Sequence, residues 1–430
     1  MKKIAIVGSG ISGLACAYYL SRRHDITLYE ANDYVGGHTH TVGVEKDGEK
    51  ASIDTGFIVF NDRTYPNFMR LLKDIGVSYQ ATEMGFSVRN DAADLEYGSR
   101  NLNGLFAQRR NLMRPEFWNM LLDILRFNKD ARKEKDNDQS RTIGQYLETA
   151  SYGALFKENY LLPMISAIWS MGLESCLDFP LQFFVRFFDN HGLLTVIDQP
   201  QWYTIKGGSS RYIGPLTEGF RGKIKLNTPV RKVRRTENGV IVETAGGSCR
   251  FDEVVLACHG DQALALLDPP TESERKVLEA FRFSENQVVL HTDISRLPKR
   301  KSAWASWNYR IADEGREFTT LTYNMNILQR LEKRHTYLVT LNQEIDDAHV
   351  LARFTYSHPV YDTGAIAAQK QWQNISGASN IHYCGAYWFN GFHEDGVRSA
   401  LRVCDMLEET HEISDLRGKN IPSTIYPQAA

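Results

Sequence analysis

The chain has 430 residues, of which 42% are hydrophobic, and a formal net charge of −2 at pH 7; this exceeds the length one hydrophobic core usually serves and predicts two domains. Its 50 Lys and Arg are balanced by 52 Asp and Glu, which lacks the basic excess a nucleic-acid partner requires. The six cysteines, Cys16, Cys176, Cys249, Cys258, Cys384 and Cys404, show no CxxC spacing and no His/Cys cluster. They indicate neither a metal site nor a disulfide framework, and point to a cytoplasmic location. The longest apolar run, residues 160–169, carries Pro163 and Ser166 and is too short to span a bilayer, which takes about 18–20 residues.

Residues 3–7 (Lys-Ile-Ala-Ile-Val) read as a short buried strand, and Gly8-Ser9-Gly10-Ile11-Ser12-Gly13 opens the helix that follows. Gly8 suits the tight turn, Gly10 a close approach of backbone to a pyrophosphate, and Gly13 close helix–strand contact. The amide groups at the helix start, from Ser12, supply the positive end. Residues 25–30 read as the second strand and end in Glu30, a carboxylate placed for a ribose diol, followed by Ala31. A second glycine pair, Gly36-Gly37, then precedes His38, and that pair points to FAD rather than NAD.

Further on, residues 51–60 read as extended and 65–75 as a helix stopped by Gly76. From Phe86 the pattern changes, and residues 115–135 and 179–188 have helical period. Glycines return at 206–211, which looks like the resumption of the cofactor domain. Short strands follow at 224–226, 230–234, 240–244 and 254–257. Residues 283–292, 304–309, 321–326 and 336–341 supply more strands, 380–386 a last buried one, and the final helix starts near Gly396. The expected class is α/β with an α+β substrate domain: a Rossmann-like FAD-binding domain of the glutathione reductase type with an inserted mixed sheet and helical substrate domain. The expected FAD-binding domain is 1–85, 200–280 and 370–412, the substrate domain 86–199 and 281–369, and the C-terminal tail 413–430.

With both glycine motifs, Gly385-Ala386 and Asp395-Gly396, the chain resembles the flavin amine oxidase superfamily. Several segments carry a narrower resemblance: Gly98-Ser99-Arg100-Asn101, Ala167-Ile168-Trp169-Ser170, Pro200-Gln201-Trp202, Trp304-Ala305-Ser306-Trp307-Asn308 and Gly391-Phe392-His393-Glu394-Asp395-Gly396. They are similar to FAD-dependent oxidoreductases related to the N-terminal flavin domain of plant cyclopropane fatty acid synthases. That resemblance implies a flavoprotein acting on modified fatty acyl chains, with a cyclopropane-synthase-like methyltransferase as partner.

The superfamily resemblance further implies that Gly37 and His38 lie along the phosphates and ribityl chain, Thr55-Gly56-Phe57 near the flavin ring, and Val230 at the adenine. It puts Gly385 and Ala386 at the pyrophosphate and Asp395, Gly396 and Val397 at the pyrimidine end. A helix N-terminus there would favour the negative charge of a reduced flavin. Two departures bear on chemistry: His38 stands where amine oxidases commonly have arginine, and Gln287 is read at the place of their water-holding lysine. Ordinary amine oxidation is therefore disfavoured.

His393 and Glu394 are candidate acid/base groups, with helix capping as the alternative role for Glu394 and Asp395. Trp202, Trp304, Trp307, Tyr323 and Tyr387 are candidates to line an apolar substrate site, against ordinary core packing. The amphipathic residues 117–135, preceded by Arg109, Arg110 and Arg114, are read either as a packed helix or as a peripheral membrane contact. The functional expectation is removal of hydride from a long apolar lipid substrate, an unsaturated, cyclopropane or methyl-modified acyl chain. Amine or polyamine oxidation, and a non-catalytic flavin-bound lipid-binding partner of a methyltransferase, are the alternatives.

Overall fold

An uninterrupted apolar strand, Ile4 to Val7, has no exposed face to offer, and it is accordingly the middle of a sheet. The computed structural model describes residues 1–135, 141–169, 172, 175–195, 199–311 and 320–408. Ser170 and the tail 413–430 lie outside the described residues. The chain forms two units: Met1–Gly37, Ile213–Arg282 and Gly364–Ala430 make the first, His38–Tyr212 and Phe283–Thr363 the second.

The first unit is built on a five-stranded parallel sheet, ordered Ile224–Lys225, Asp25–Tyr29 (β2), Lys3–Val7 (β1), Glu253–Leu256 and Ile381–Tyr383. The helix Ile11–Leu20 (α1) makes the crossover from β1 to β2 and packs against the C-terminal helix His393–Glu408. Such parallel strands joined through a helix form an α/β layer. A three-stranded antiparallel sheet, Val230–Thr236, Gly239–Thr244 and Gly247–Phe251, completes the unit's sheets.

The second unit carries a seven-stranded mixed sheet, ordered Val350–Val360, Arg282–His291, Leu338–Leu341, Thr320–Asn324, Trp307–Ile311, Phe86–Asn90 and Leu95–Gly98. The strand Val350–Val360 escapes a sequence reading because it contains Pro359 and interleaves polar with apolar residues. It lies at the sheet edge, where a missing amide donor is tolerated. The helical part is tied by aromatic packing: Phe127 of the Pro115–Ala131 helix is fully buried among Tyr146, Tyr152, Phe156 and Phe184.

The unit boundaries differ from those read in the sequence. Residues 38–85 and 200–212, expected with the cofactor domain, belong to the second unit. The physical reason is long-range pairing: Phe60–Asn61 and Tyr79–Thr82 both add to Trp202–Ile205. Ala51 and Ile53 pack with Val288, Leu290 and Val339. Ser209 donates through its amide and its hydroxyl to Asp54, at 2.8 and 2.9 Å, so the glycine-rich 206–211 segment closes the second unit and the first resumes at Ile213. Among the described residues, no helix is long and apolar enough to cross a membrane.

Deleting a fully buried aromatic ring leaves a cavity that close-packed neighbours fill only in part. Phe127→Ala is expected to lower unfolding stability by about 3–5 kcal/mol, checked by chemical denaturation followed by circular dichroism.

Candidate functional site: a glycine cradle and a histidine-tyrosine cluster

In the first unit the turn after β1 works because side chains are missing. Gly8 adopts φ +103°, a region L residues avoid. A Cβ on Gly13 would stand 1.9 Å from the Gly8 carbonyl oxygen, so only glycine lets α1 approach the turn this closely. Gly10 is the N-cap of α1 and has no side chain to cap it, and a Cβ placed there would meet nothing within 4 Å. Open space therefore adjoins the amide donors of the first helical turn, the arrangement that takes an anionic phosphate.

Glu30, just past β2, is buried and held by three donors. Its Oε2 accepts from the Ser9 amide at 2.9 Å and the Ser9 hydroxyl at 2.6 Å, and its Oε1 accepts from the Asn32 amide at 2.9 Å. An ionised carboxylate has about four acceptor positions, so this geometry aims the group and leaves capacity for a hydroxyl. Ser9 also receives the Gly36 amide, on its carbonyl at 3.1 Å and its hydroxyl at 3.3 Å. That draws the second glycine pair over the turn, with Gly37 at φ +58° and a would-be Cβ 3.1 Å from the Gly10 Cα. Ser9 is invisible as a functional residue in the sequence, where it fills a variable position of the glycine motif. Ala31 is exposed beside Glu30. The backbone of residues 225–228 pairs with Glu30 and Asn32, bringing Val230 close behind.

The start of the C-terminal helix converges on the same place. A Cβ on Gly396 would lie 2.6 Å from Ile11 Cγ2 and 3.0 Å from Ser12 Oγ, so two helix N-termini abut with Val397 buried behind. The Gly385 amide donates to Ser399 Oγ at 3.0 Å, while Ala386 begins a short turn whose carbonyl accepts from Phe389 and Gly391. His393 and Glu394 are buried in the first helical turn. Asp395 accepts the Phe392 amide at 3.0 Å, which makes it a capping residue. Burial pushes its carboxyl up to about 6, against the pull of that amide, Arg398 and the Asn390 amide. Cys384 lies 3.8 Å from Cys16, sulfur to sulfur, both buried.

In the second unit His38, Thr55, Gly56 and Phe57 come together as one backbone knot. The Phe57 amide donates to the His38 carbonyl at 2.7 Å, and a Cβ on Gly56 would stand 2.2 Å from that oxygen. The Tyr356 hydroxyl stands 2.7 Å from His40 Nδ1 and 2.8 Å from Thr55 Oγ1. The His38 ring lies 5.3 Å from Tyr356 and 5.5 Å from His358, and the Asn286 amide nitrogen is 3.2 Å from His358 Nδ1. Burial, with His38 nearby, lowers His358 to about 3, so its imidazole is neutral. His40, Asn286, Tyr356 and His358 were not singled out in the sequence, because three of them lie on the strands 282–291 and 350–360 and only their alternation and pairing bring them inward.

Gln287 does not point the way the sequence reading placed it. Side chains alternate along a strand, and Gln287 falls on the exposed side, bonded to Thr355 Oγ1 at 3.2 Å, while Asn286 faces inward. Among the aromatic candidates, Trp307 and Tyr323 are cross-strand partners with rings 5.3 Å apart. Trp202 begins the strand Trp202–Ile205 that pairs with Phe60–Asn61 and Tyr79–Thr82. Trp304 is pinned by its indole N–H to the Pro298 carbonyl at 2.8 Å. Tyr387 belongs to the first unit, packed with Phe281 and Trp388.

The family model for flavin containing amine oxidoreductases matches residues 11–292. The chain is 22% identical over 292 residues to the 15-cis-phytoene desaturase of Arabidopsis thaliana, covering 62% of this chain and 50% of that protein. It thus spans half the length of that curated relative. Its fold is similar to that of cyclohexylamine oxidase from Brevibacterium oxydans IH-35A, with a TM-score of 0.69 at 16% identity, covering 95% of this chain and 99% of the other. It is also similar to the CLA-producing fatty acid isomerase from P. acnes, with a TM-score of 0.67 at 15% identity and the same coverage. The chain belongs to the flavin containing amine oxidoreductase family.

Because the folded protein holds the Asp395 proton up to about 6, against an ordinary 3.8, folding binds a proton between those values. Stability contributed by this group is greatest below 3.8 and is lost as pH rises to about 6. Asp395→Asn, which mimics the protonated form, is expected to be more stable than the parent near neutral pH by on the order of 2 kcal/mol. The difference should close on acidification toward pH 4 in parallel urea titrations of the flavin-free protein.

Proposed function

We propose that this protein is an FAD-dependent oxidoreductase that takes hydride from a carbon of a long apolar substrate, an unsaturated, cyclopropane or methyl-modified fatty acyl chain. The observation that carries this reading is the inner side of the strand Arg282–His291. It has no lysine, and its inward polar group is the amide of Asn286, set against the neutral imidazole of His358. Beyond it Val288 and Leu290 are buried in an apolar cluster against which Trp307 and Tyr323 pack. A surface of this kind offers an ammonium or amine no charged anchor and suits a hydrocarbon. The names of the Arabidopsis desaturase and the P. acnes fatty acid isomerase lend support. A methyltransferase acting on the same acyl chains is the partner this reading implies.

We assign the cofactor to the first unit, taken as a glutathione-reductase-type layer. The amides from Gly10 to Gly13 would hold the pyrophosphate, Glu30 the adenosine ribose, Val230 the adenine edge, and Gly385 and Ala386 the phosphate flank. FAD, when bound, supplies the acceptor for the hydride. The start of the His393–Glu408 helix would offset negative charge at the pyrimidine end, with Asp395 capping rather than transferring a proton. His393 and Glu394 remain the residues assigned to proton movement.

Two measurements test this. Under anaerobic conditions the yellow absorbance of the bound flavin should bleach on adding unsaturated or cyclopropane phospholipid and stay unchanged with putrescine or cyclohexylamine. Bleaching by the amines alone would establish amine oxidation instead. Glu30→Ala should weaken FAD binding 10- to 100-fold, equivalent to about 1.5–3 kcal/mol for charge-assisted hydrogen bonds. The comparison is a fluorescence titration of both apoproteins after matching their thermal unfolding.

A further inference from the structure

We propose that the outer face of the Pro115–Ala131 helix, with the turn before it, is a docking surface for an anionic lipid bilayer. This helix is apolar on both sides. Phe117, Met120, Phe127 and Ala131 form its buried stripe. On the opposite side Trp118, Leu122 and Leu125, spaced i, i+4, i+7, line up with Lys129 at i+11, and the three apolar side chains are 44%, 62% and 53% exposed. A helix of an ordinary globular domain puts polar residues on that side.

The patch extends beyond the helix. The Trp118 indole N–H donates to the Leu112 carbonyl at 3.0 Å, which fastens the preceding turn beside it with Met113 88% exposed. The Trp118 ring also lies 5.5 Å from Phe106, next to the one-turn helix Leu102–Leu105, whose Leu102 is 74% exposed. Among the described residues, eleven large hydrophobic side chains are exposed, and six of them fall between 102 and 125. A concentration of that kind marks an interaction surface rather than chance exposure.

Charge selects the partner. Residues 101–135 carry eight Lys and Arg against four Asp and Glu; Asp94 and Asp189, outside that stretch, pair with Arg110 and with Arg132 and Lys135, which leaves a local excess of two positive charges in a chain whose net charge is −2. The local excess of positive charge around a Trp/Leu/Met face complements anionic headgroups over an acyl layer. This inference is independent of what the flavin oxidises: a chain that docks without bleaching, or bleaches without docking, separates the two proposals.

The test is cosedimentation of the flavin-loaded protein with vesicles of phosphatidylcholine, with and without phosphatidylglycerol. The protein should sediment with the anionic vesicles, more weakly at high salt, and about tenfold less with the neutral ones. The double variant Leu122→Asp/Leu125→Asp should lose about tenfold or more of that binding while keeping its flavin content and melting temperature. Lys129→Glu, which leaves the apolar stripe intact, should weaken binding to the anionic vesicles only. Failure to sediment with either vesicle, equal binding to both, or undiminished binding by the double variant overturns the proposal. So does a concentration-dependent dimer in light scattering that the double variant abolishes, which would assign the face to a second copy of the chain.

Discussion

The first unit depends on the near-contact of backbones that glycine alone permits. α1 can lie against the turn after β1 only because Gly13 presents no Cβ to the Gly8 carbonyl, and the C-terminal helix can reach the same place only because Gly396 presents none to Ile11 and Ser12. Two helix starts, distant in the chain, thereby share one small volume. The aligned dipoles of the two helices make that volume favourable for negative charge. The exposed hydroxyls and charged side chains of the rest of the unit have no comparable effect, since water screens them.

Around that contact, polar groups set direction. Glu30 would be costly to bury unpaired, and the Ser9 and Asn32 donors both satisfy it and fix where its remaining lone pairs point. The same serine gathers the second glycine pair, so one side chain links the first strand's turn, the end of the second strand and the loop that leads into His38. The second unit handles its polar groups differently. His358, Asn286, Tyr356, His40 and Thr55 are joined by hydrogen bonds and ring contacts, and His358 is kept neutral by burial. One unit concentrates the means to hold an anion, and the other presents a set of hydrogen-bonding groups beside an apolar cluster.

The helix Pro115–Ala131 shows how one apolar composition serves two ends. Its inner stripe is consumed by core packing, as for any helix of a folded domain, and Phe127 alone touches four aromatic rings. Its outer stripe is of similar chemistry but stays largely exposed at Leu122 and Leu125, and Lys129 continues it. Hydrophobicity by itself would not distinguish these two faces. Their angular separation on the helix does.

Local rules were sufficient for the nucleotide-binding strand, turn and helix. Gly8 and Gly13 are required by backbone geometry within a dozen residues, Gly10 leaves open space at the helix start, and Glu30 closes the second strand at a spacing that the βαβ unit imposes. They also sufficed for a helix within 115–135, which forms at Pro115–Ala131, and for the capping acid at 395, since helical period and N-terminal charge are properties of adjacent residues. What only the tertiary structure decided were relations between distant segments. Residues 38–85 and 200–212 joined the second unit through strand pairings that no local pattern announces. The edge strand Val350–Val360 formed despite Pro359, and the choice of Asn286 over Gln287 as the inward group turned on strand phase. A one-residue change of phase reverses which face a side chain occupies, and phase is set by partner strands rather than by the residue itself.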